Sequence, residues 1–338
     1  MSSRHDERLR SGRPNSGSHS QQTEEVSSPN APLQGVALER ELAGAPDREF
    51  TVAARSQWSM VARRFFRHKL AVVSLVVFVA VVLLAFVGGT LWHYNYQDLT
   101  GDYSVGPSAK HPFGTDSSSH DTFAQVLRGT QRSLEIALFV AVVATAVGTV
   151  YGSIAGFFRG WSDSVMMRIV DLFLTFPTIA VAAILGDQLG PRANGWLWIA
   201  VVLAALIWPY VSRVVRGVTL SIREKEYIEA SRALGASNSR IIARHVVPNV
   251  IGPVIVTITI LVAQAILAET ALSFVGFGVK APDTSLGLLV SVNQTAVQTR
   301  PWLFYFPGFF IIVIALSINF IGDGLRDALD PTQTRVRA

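Results

Sequence analysis

LAVVSLVVFVAVVLLAFVGGTLW, residues 70–92, contains no charged residue. A helix needs roughly 20 consecutive apolar residues to cross a bilayer core about 30 Å thick, and a helix buried in a soluble core has no use for so long a run. The stretch reads as a membrane span. Arg63, Arg64, Arg67 and Lys69 stand just before it, and such residues mark the side of the membrane that retains them. The whole chain agrees: 50% of its 338 residues are hydrophobic and 16% charged, against about 25% charged in a typical soluble domain. A net charge of +5 would suggest nucleic acid in a soluble protein. Here the basic residues flank apolar runs, so they set membrane orientation, and no nucleic-acid partner is expected.

Upstream, residues 1–52 are polar and hold no apolar run, so they lack a cleavable signal and read as a disordered cytoplasmic tail. Residues 53–69 differ. Trp58, Val61 and Phe65 recur at i, i+3 and i+7 with Arg63, Arg64 and Arg67 among them, the pattern of an amphipathic helix at the membrane interface. Downstream, five further apolar runs are predicted to span, at 134–158, 165–186, 196–212, 250–272 and 304–322. The fold class is an all-α membrane protein with six transmembrane helices over 70–331, closed by a tail at 332–338. The apolar character of the fifth run extends to Val279, so that helix either tilts or breaks among Gly276 and Gly278 and re-enters.

Arg159, Arg168 and the series Arg213, Arg216, Arg223, Lys225, Arg232, Arg240 and Arg244 concentrate on one side of this plan. The positive-inside rule then puts both termini and the 213–248 segment in the cytoplasm and the long 93–133 loop outside. Thiol chemistry is excluded because the chain has no cysteine. No GxxxxGKS/T phosphate loop occurs in the sequence, so any ATP used must bind another chain.

The 213–248 segment is the most informative. Tyr227, Ala230 and Leu234 form a short apolar stripe at i, i+3 and i+7. Gly235 stands where a helix would end. Ser237 or Ser239 can cap a second short helix, which Pro248 is expected to stop. Two short helices joined at a glycine suit either a groove in a partner or packing under the chain's own bundle.

The same residues carry a family resemblance. Glu229-Ala230-Ser231, Gly235 and Pro248 resemble the EAA loop of importer-type ABC permeases: Glu-Ala-Ala, three residues, Gly, nine residues, Ile, any residue, Leu, Pro. Ser231, His245 and Val247 replace Ala, Ile and Leu of that pattern. Three further stretches resemble the oligopeptide/dipeptide (and nickel) transporter family, in particular the second of its paired permeases. They are His111-Pro112-Phe113-Gly114-Thr115-Asp116; Ala268-Glu269-Thr270-Ala271-Leu272-Ser273-Phe274 with Gly276 and Gly278; and Phe306-Pro307-Gly308 with Asn319 and the run from Gly322 to Pro331. The resemblance covers roughly residues 58–331. Where the family usually has Gly-Arg-Asp, this chain has Ser119-His120-Asp121.

The resemblance implies a type I importer fold and a non-catalytic subunit that moves di- or oligopeptides inward. Its implied partners are a second homologous permease, two ATPase subunits carrying ATP and Mg, an extracytoplasmic substrate-binding protein and membrane lipid. It places Tyr227, Glu229, Ala230, Arg232, Leu234, Gly235 and Pro248 at the ATPase contact, with no cofactor or metal on this chain and a location in the bacterial cell membrane. A nickel or other small-solute importer is the alternative, and an ion-coupled transporter a more distant one, because charge within the spans is sparse.

Other polar residues carry less. Counting about 1.5 Å per residue from Val250 puts Glu269 roughly 28 Å along its helix, near the far boundary. It reads as a pathway or gate residue, or as an interfacial residue holding the broken end of the fifth helix. Asp171 is spaced to pair with Arg168. His93, His111, His120, Asp116 and Asp121 match no usual metal-ligand spacing and read as a hydrated polar loop. Gln264 and Asn319 read as interhelical hydrogen-bond partners.

Overall fold

The computed structural model describes residues 57–189 and 195–329; the tails expected at 1–52 and 332–338 lie outside them. Among the described residues the long regular elements are all helices, and β pairing is limited to two isolated bridges, Leu99 with His120 and Thr115 with Asp121.

The first helix, α1, spans Gln57–Phe65. Its apolar face forms as the spacing predicts, with Val61 beside the buried Phe65, but protein covers it: Phe65 packs on Ala71 and on Ala328 near the end of the last helix. Helix α2, Lys69–Leu91, is the first span. His68 caps it, its Nδ1 accepting the N–H of Ala71 at 3.2 Å. Leu70, Val73, Val76, Leu83 and Val87 of α2 are exposed on the chain. A helix apolar all round and this open needs lipid against it.

Helix α3, Thr122–Phe158, has 37 residues and begins well before the predicted 134. Arg128 and Arg132, which fell in the loop expected at 93–133, sit in its first turns, ahead of Glu135. Both arginines pair with Asp283, and Arg132 also pairs with Glu135 at 2.5 Å. The single span expected at 165–186 is two helices, α4 (Gly160–Thr175) and α5 (Thr178–Leu189), bent by 77°. Pro177 causes the break: it lacks an N–H, and it holds Phe176 extended at φ −79, ψ 138.

Helix α6, Gly195–Arg223, outruns the predicted 196–212 and packs most extensively on α3. Gly148, Gly152 and Gly156 of α3 line the contact. A Cβ on Gly152 would lie 2.4 Å from the Ser212 carbonyl oxygen, and one on Gly148 2.5 Å from the Val211 Cβ. Only glycine lets the backbones meet this closely. Asp171 pairs with Arg213 of α6 rather than with Arg168, because α4 lies along α6. Beside it Asp163 accepts two bonds of 2.6 Å from Arg216.

Helix α7 spans Glu226–Ala233, and α8 runs Asn238–Phe274, 37 residues. The separate second short helix ending at Pro248 is therefore not found. Its residues are the first turns of the fifth span. Pro248 has no N–H for the carbonyl four residues back, and the helix accommodates it by widening into a π-turn over Ile242–Val246 instead of stopping. Of the two alternatives for the end of the fifth run, tilt or break, the break is found. Helix α8 ends at Phe274, Gly276 stands at φ +92, and Phe277 N–H reaches Leu272 O at 3.0 Å. The chain then folds back through α9, Leu286–Val292, before α10, Trp302–Leu329. Gln264 of α8 and Asn319 of α10 are exposed and make no hydrogen bond among the described residues. The interhelical bonds expected of them are thus not made among the described residues.

Candidate coupling site

At the end of the bundle where α6 finishes, Arg223 donates to the Phe157 carbonyl and Arg159 pairs with Glu224 at 2.8 Å. These bonds moor α6 to the end of α3. Helix α7 carries Glu226 and Glu229 in its first turn and Arg232 in its last, the arrangement its dipole favours. Ile228 is fully buried and joins Ile222 and Ile241 in the core, which fixes the rotation of α7. Tyr227, Glu229, Ala230 and Leu234 are left exposed, and Leu234 is 89% accessible. Together with Tyr227 and Ala230 it makes a contiguous exposed apolar stripe, the kind of surface that marks a contact with a partner.

The chain turns at Gly235, φ +81. Ala236 N–H bonds to Ser231 O at 3.1 Å and Gly235 N–H to Arg232 O at 3.0 Å, which is a Schellman cap. A Cβ there would meet nothing within 4 Å, so conformation rather than space calls for glycine. Ser237 occupies the N-cap position of α8 in extended conformation, yet its side chain makes no capping bond; its Oγ lies 3.3 Å from Ser239 Oγ.

The structure thus gathers Tyr227, Glu229, Ala230, Leu234 and Gly235 on one open surface. Arg232 turns back, its guanidinium 5.6 Å from the Phe157 ring centre. Pro248 is exposed on α8. His245 lies in the π-turn with its ring 6.1 Å from that of Tyr227. Ile228 escaped sequence reading because it falls between the stripe positions; as the one large aliphatic residue on the other face of α7, it was the available signal.

The opposite end is more polar and more ordered than a hydrated loop. His111 is 1% exposed, its Nδ1 2.8 Å from Asp121 Oδ1 and its Nε2 3.2 Å from Asp102 Oδ2. Tyr94 stacks on its ring. Asp121 is fully buried and also accepts Trp92 Nε1–H and Ala124 N–H, both at 2.9 Å. Lys110 first, and His111 second, hold the Asp102 carboxyl below its ordinary value. Ser119 takes up φ 70, where a glycine is favoured, and its Oγ accepts Gly101 N–H at 2.6 Å. His120 sits 3.0 Å from Asp116. Among the described residues no group of three or more such side chains is arranged to hold a metal. Glu269 is enclosed at this end of α8, with Ser133 and Ser273 donating to it at 3.2 and 2.7 Å.

Two family models match the chain. Residues 148–335 match the binding-protein-dependent transport system inner membrane component, and residues 56–107 match the N-terminal TM domain of oligopeptide transport permease C. The chain belongs to this family of transport permeases. The first match runs from the last eleven residues of α3 through α10, including the α7–Gly235 surface and Glu269; the second takes in α1, α2 and the start of the following loop. Relatives include the oligopeptide transport system permease protein OppC of Mycobacterium tuberculosis, 41% identical over 83% of this chain and 97% of its own length. OppC of Escherichia coli K12 is 42% identical over 83% and 93%. The dipeptide transport system permease protein DppC of Alkalihalophilus pseudofirmus is 37% identical over 85% and 94%. The permease is a multi-pass membrane protein: among the described residues five helices are long and apolar enough to span, or six when α4 and α5 count as one broken span.

Proposed function

We propose that the chain is the non-catalytic membrane subunit of a peptide importer, driven by ATP and Mg on two partner ATPases that grip α7 and the Gly235 turn. The exposed surface around Leu234 carries this reading. Ile228 pins one side of α7 while Tyr227, Glu229, Ala230 and Leu234 stand free on the other, so a groove in a partner would receive a rigid, partly apolar knob. Glu229 has no ion pair among the described residues and offers an acidic contact to that partner. The basic residues crowded near this end favour the cytoplasmic side for it and for both termini. The loop of His111 and Asp121 then faces outward, toward an extracytoplasmic binding protein. The names of the relatives support peptides as cargo.

Gentle purification of the tagged chain from its native membrane tests the proposal. It should bring down a second permease, ATP-binding chains and a binding protein, and the reconstituted complex should take up labelled di- or oligopeptide only with ATP. Recovery of the chain alone, with peptide uptake that follows an ion gradient, would refute it.

A further inference from the structure

The segment between α8 and α10 folds back onto the outward ends of α3 and α8 and is fastened there at two levels. At the rim, Asp283 pairs with Arg128 and Arg132 of α3. Beneath it, Glu269 of α8 is fully buried and receives the hydroxyls of Ser133 and Ser273, with the Ser285 hydroxyl close beside it. Two of these serines also hold the folded-back segment. Ser133 Oγ accepts Leu286 N–H at 3.2 Å, and Ser285 Oγ accepts Leu288 N–H at 3.0 Å, capping α9.

The fit around this cluster is tight. A Cβ on Gly287 would lie 2.6 Å from the Thr270 Cα, one on Gly278 2.5 Å from the Ser273 Cα, and one on Gly129 3.0 Å from the Leu286 nitrogen. A buried carboxylate without a basic partner is tolerable only while its hydrogen bonds are complete. When the segment lifts, the Leu286 N–H leaves Ser133, the Ser285 hydroxyl leaves the side of Glu269, and water must replace them. Packing this tight favours discrete arrangements over a continuum.

Glu269 shares one helix with the coupling surface. Helix α8 runs unbroken for 37 residues from Asn238, just past Gly235, to Phe274, about 55 Å at 1.5 Å per residue. We propose that Glu269, Ser133 and Ser285 form a latch that keeps the 275–292 segment closed over the outward end of the bundle, and that α8 carries movement of the ATPase-bound turn directly to it. Glu269 is on this account a positioning residue and not a peptide ligand. The inference rests on the proposed function for the source of the movement.

The absence of cysteine permits a direct test. Leu289, 4% exposed under the latch, is changed to cysteine in the complete complex in proteoliposomes and challenged with a membrane-impermeant maleimide from the binding-protein side. Labelling should be slow at rest and about tenfold faster during ATP turnover. Added Glu269→Gln or Ser285→Ala should make it fast at rest and lower the peptides moved per ATP while hydrolysis continues. A merely structural role would reduce the yield of complex and leave that ratio and the ATP dependence unchanged. Labelling that ignores ATP in the parent, or that depends on ATP equally in both variants, would overturn the latch. A complex that moves no peptide would instead count against the proposed function, and the labelling pattern with ATP would still decide the latch.

Discussion

At Gly235 the backbone stands at φ +81 with open space where a Cβ would project. Gly235→Ala should therefore cost only about 1 kcal/mol, the left-handed penalty, lowering the melting temperature of the purified complex slightly. Asp121 is the contrasting case, satisfying His111, Trp92 and Ala124 from a fully buried position. Asp121→Asn removes the charge that faces His111 and should destabilise by about 3 kcal/mol, readable as a clear fall in the same melting curve. The Asp102 carboxyl is held low by Lys110 and His111. Its contribution is complete at neutral pH and is lost only as the pH falls through that lowered value. Gly235 was legible in the sequence because a helix-ending glycine needs only local pattern. The burial of Glu269 was not, because counting along one helix cannot reveal that residues 275–292 fold back and cover it.

Among the elements, the contact between α3 and α6 depends on three glycines on one face. Gly152→Leu would drive a side chain into the Ser212 carbonyl, which lies 2.4 Å from an ideal Cβ. It should cost about 1–3 kcal/mol or more through overpacking, seen as lower yield and melting temperature. Gly217→Ala on α6, with nothing within 4 Å, should be neutral or slightly stabilising. Apolar runs located the spans, since lipid imposes a length that a sequence cannot hide. Their ends were misjudged where a helix runs on beyond its apolar stretch. Arg128 and Arg132 lie within α3, where Asp283, remote in sequence, neutralises them. The break at Phe176–Pro177 had a visible cause in Pro177, yet Pro209, Pro253 and Pro307 are carried inside helices. Proline alone does not tell a broken span from a continuous one.

For the whole molecule, the exposed turn at Gly235 and the enclosed carboxyl of Glu269 belong to the same long helix and the segment just before it, which is what the proposed coupling of the two ends rests on. The sequence disclosed the first end through a family pattern and a stripe of three residues. It disclosed little of the second, whose partners come from α3 and from the chain beyond α8. The central claim is that the surface around Leu234 seats in an ATPase. The most direct measurement places a photo-activated cross-linking residue at position 234, with position 316, exposed on α10, as control, in cells taking up peptide. The account predicts that illumination joins the chain to an ATP-binding protein from 234 and not from 316. Active uptake with no ATP-binding protein captured from 234 would contradict it.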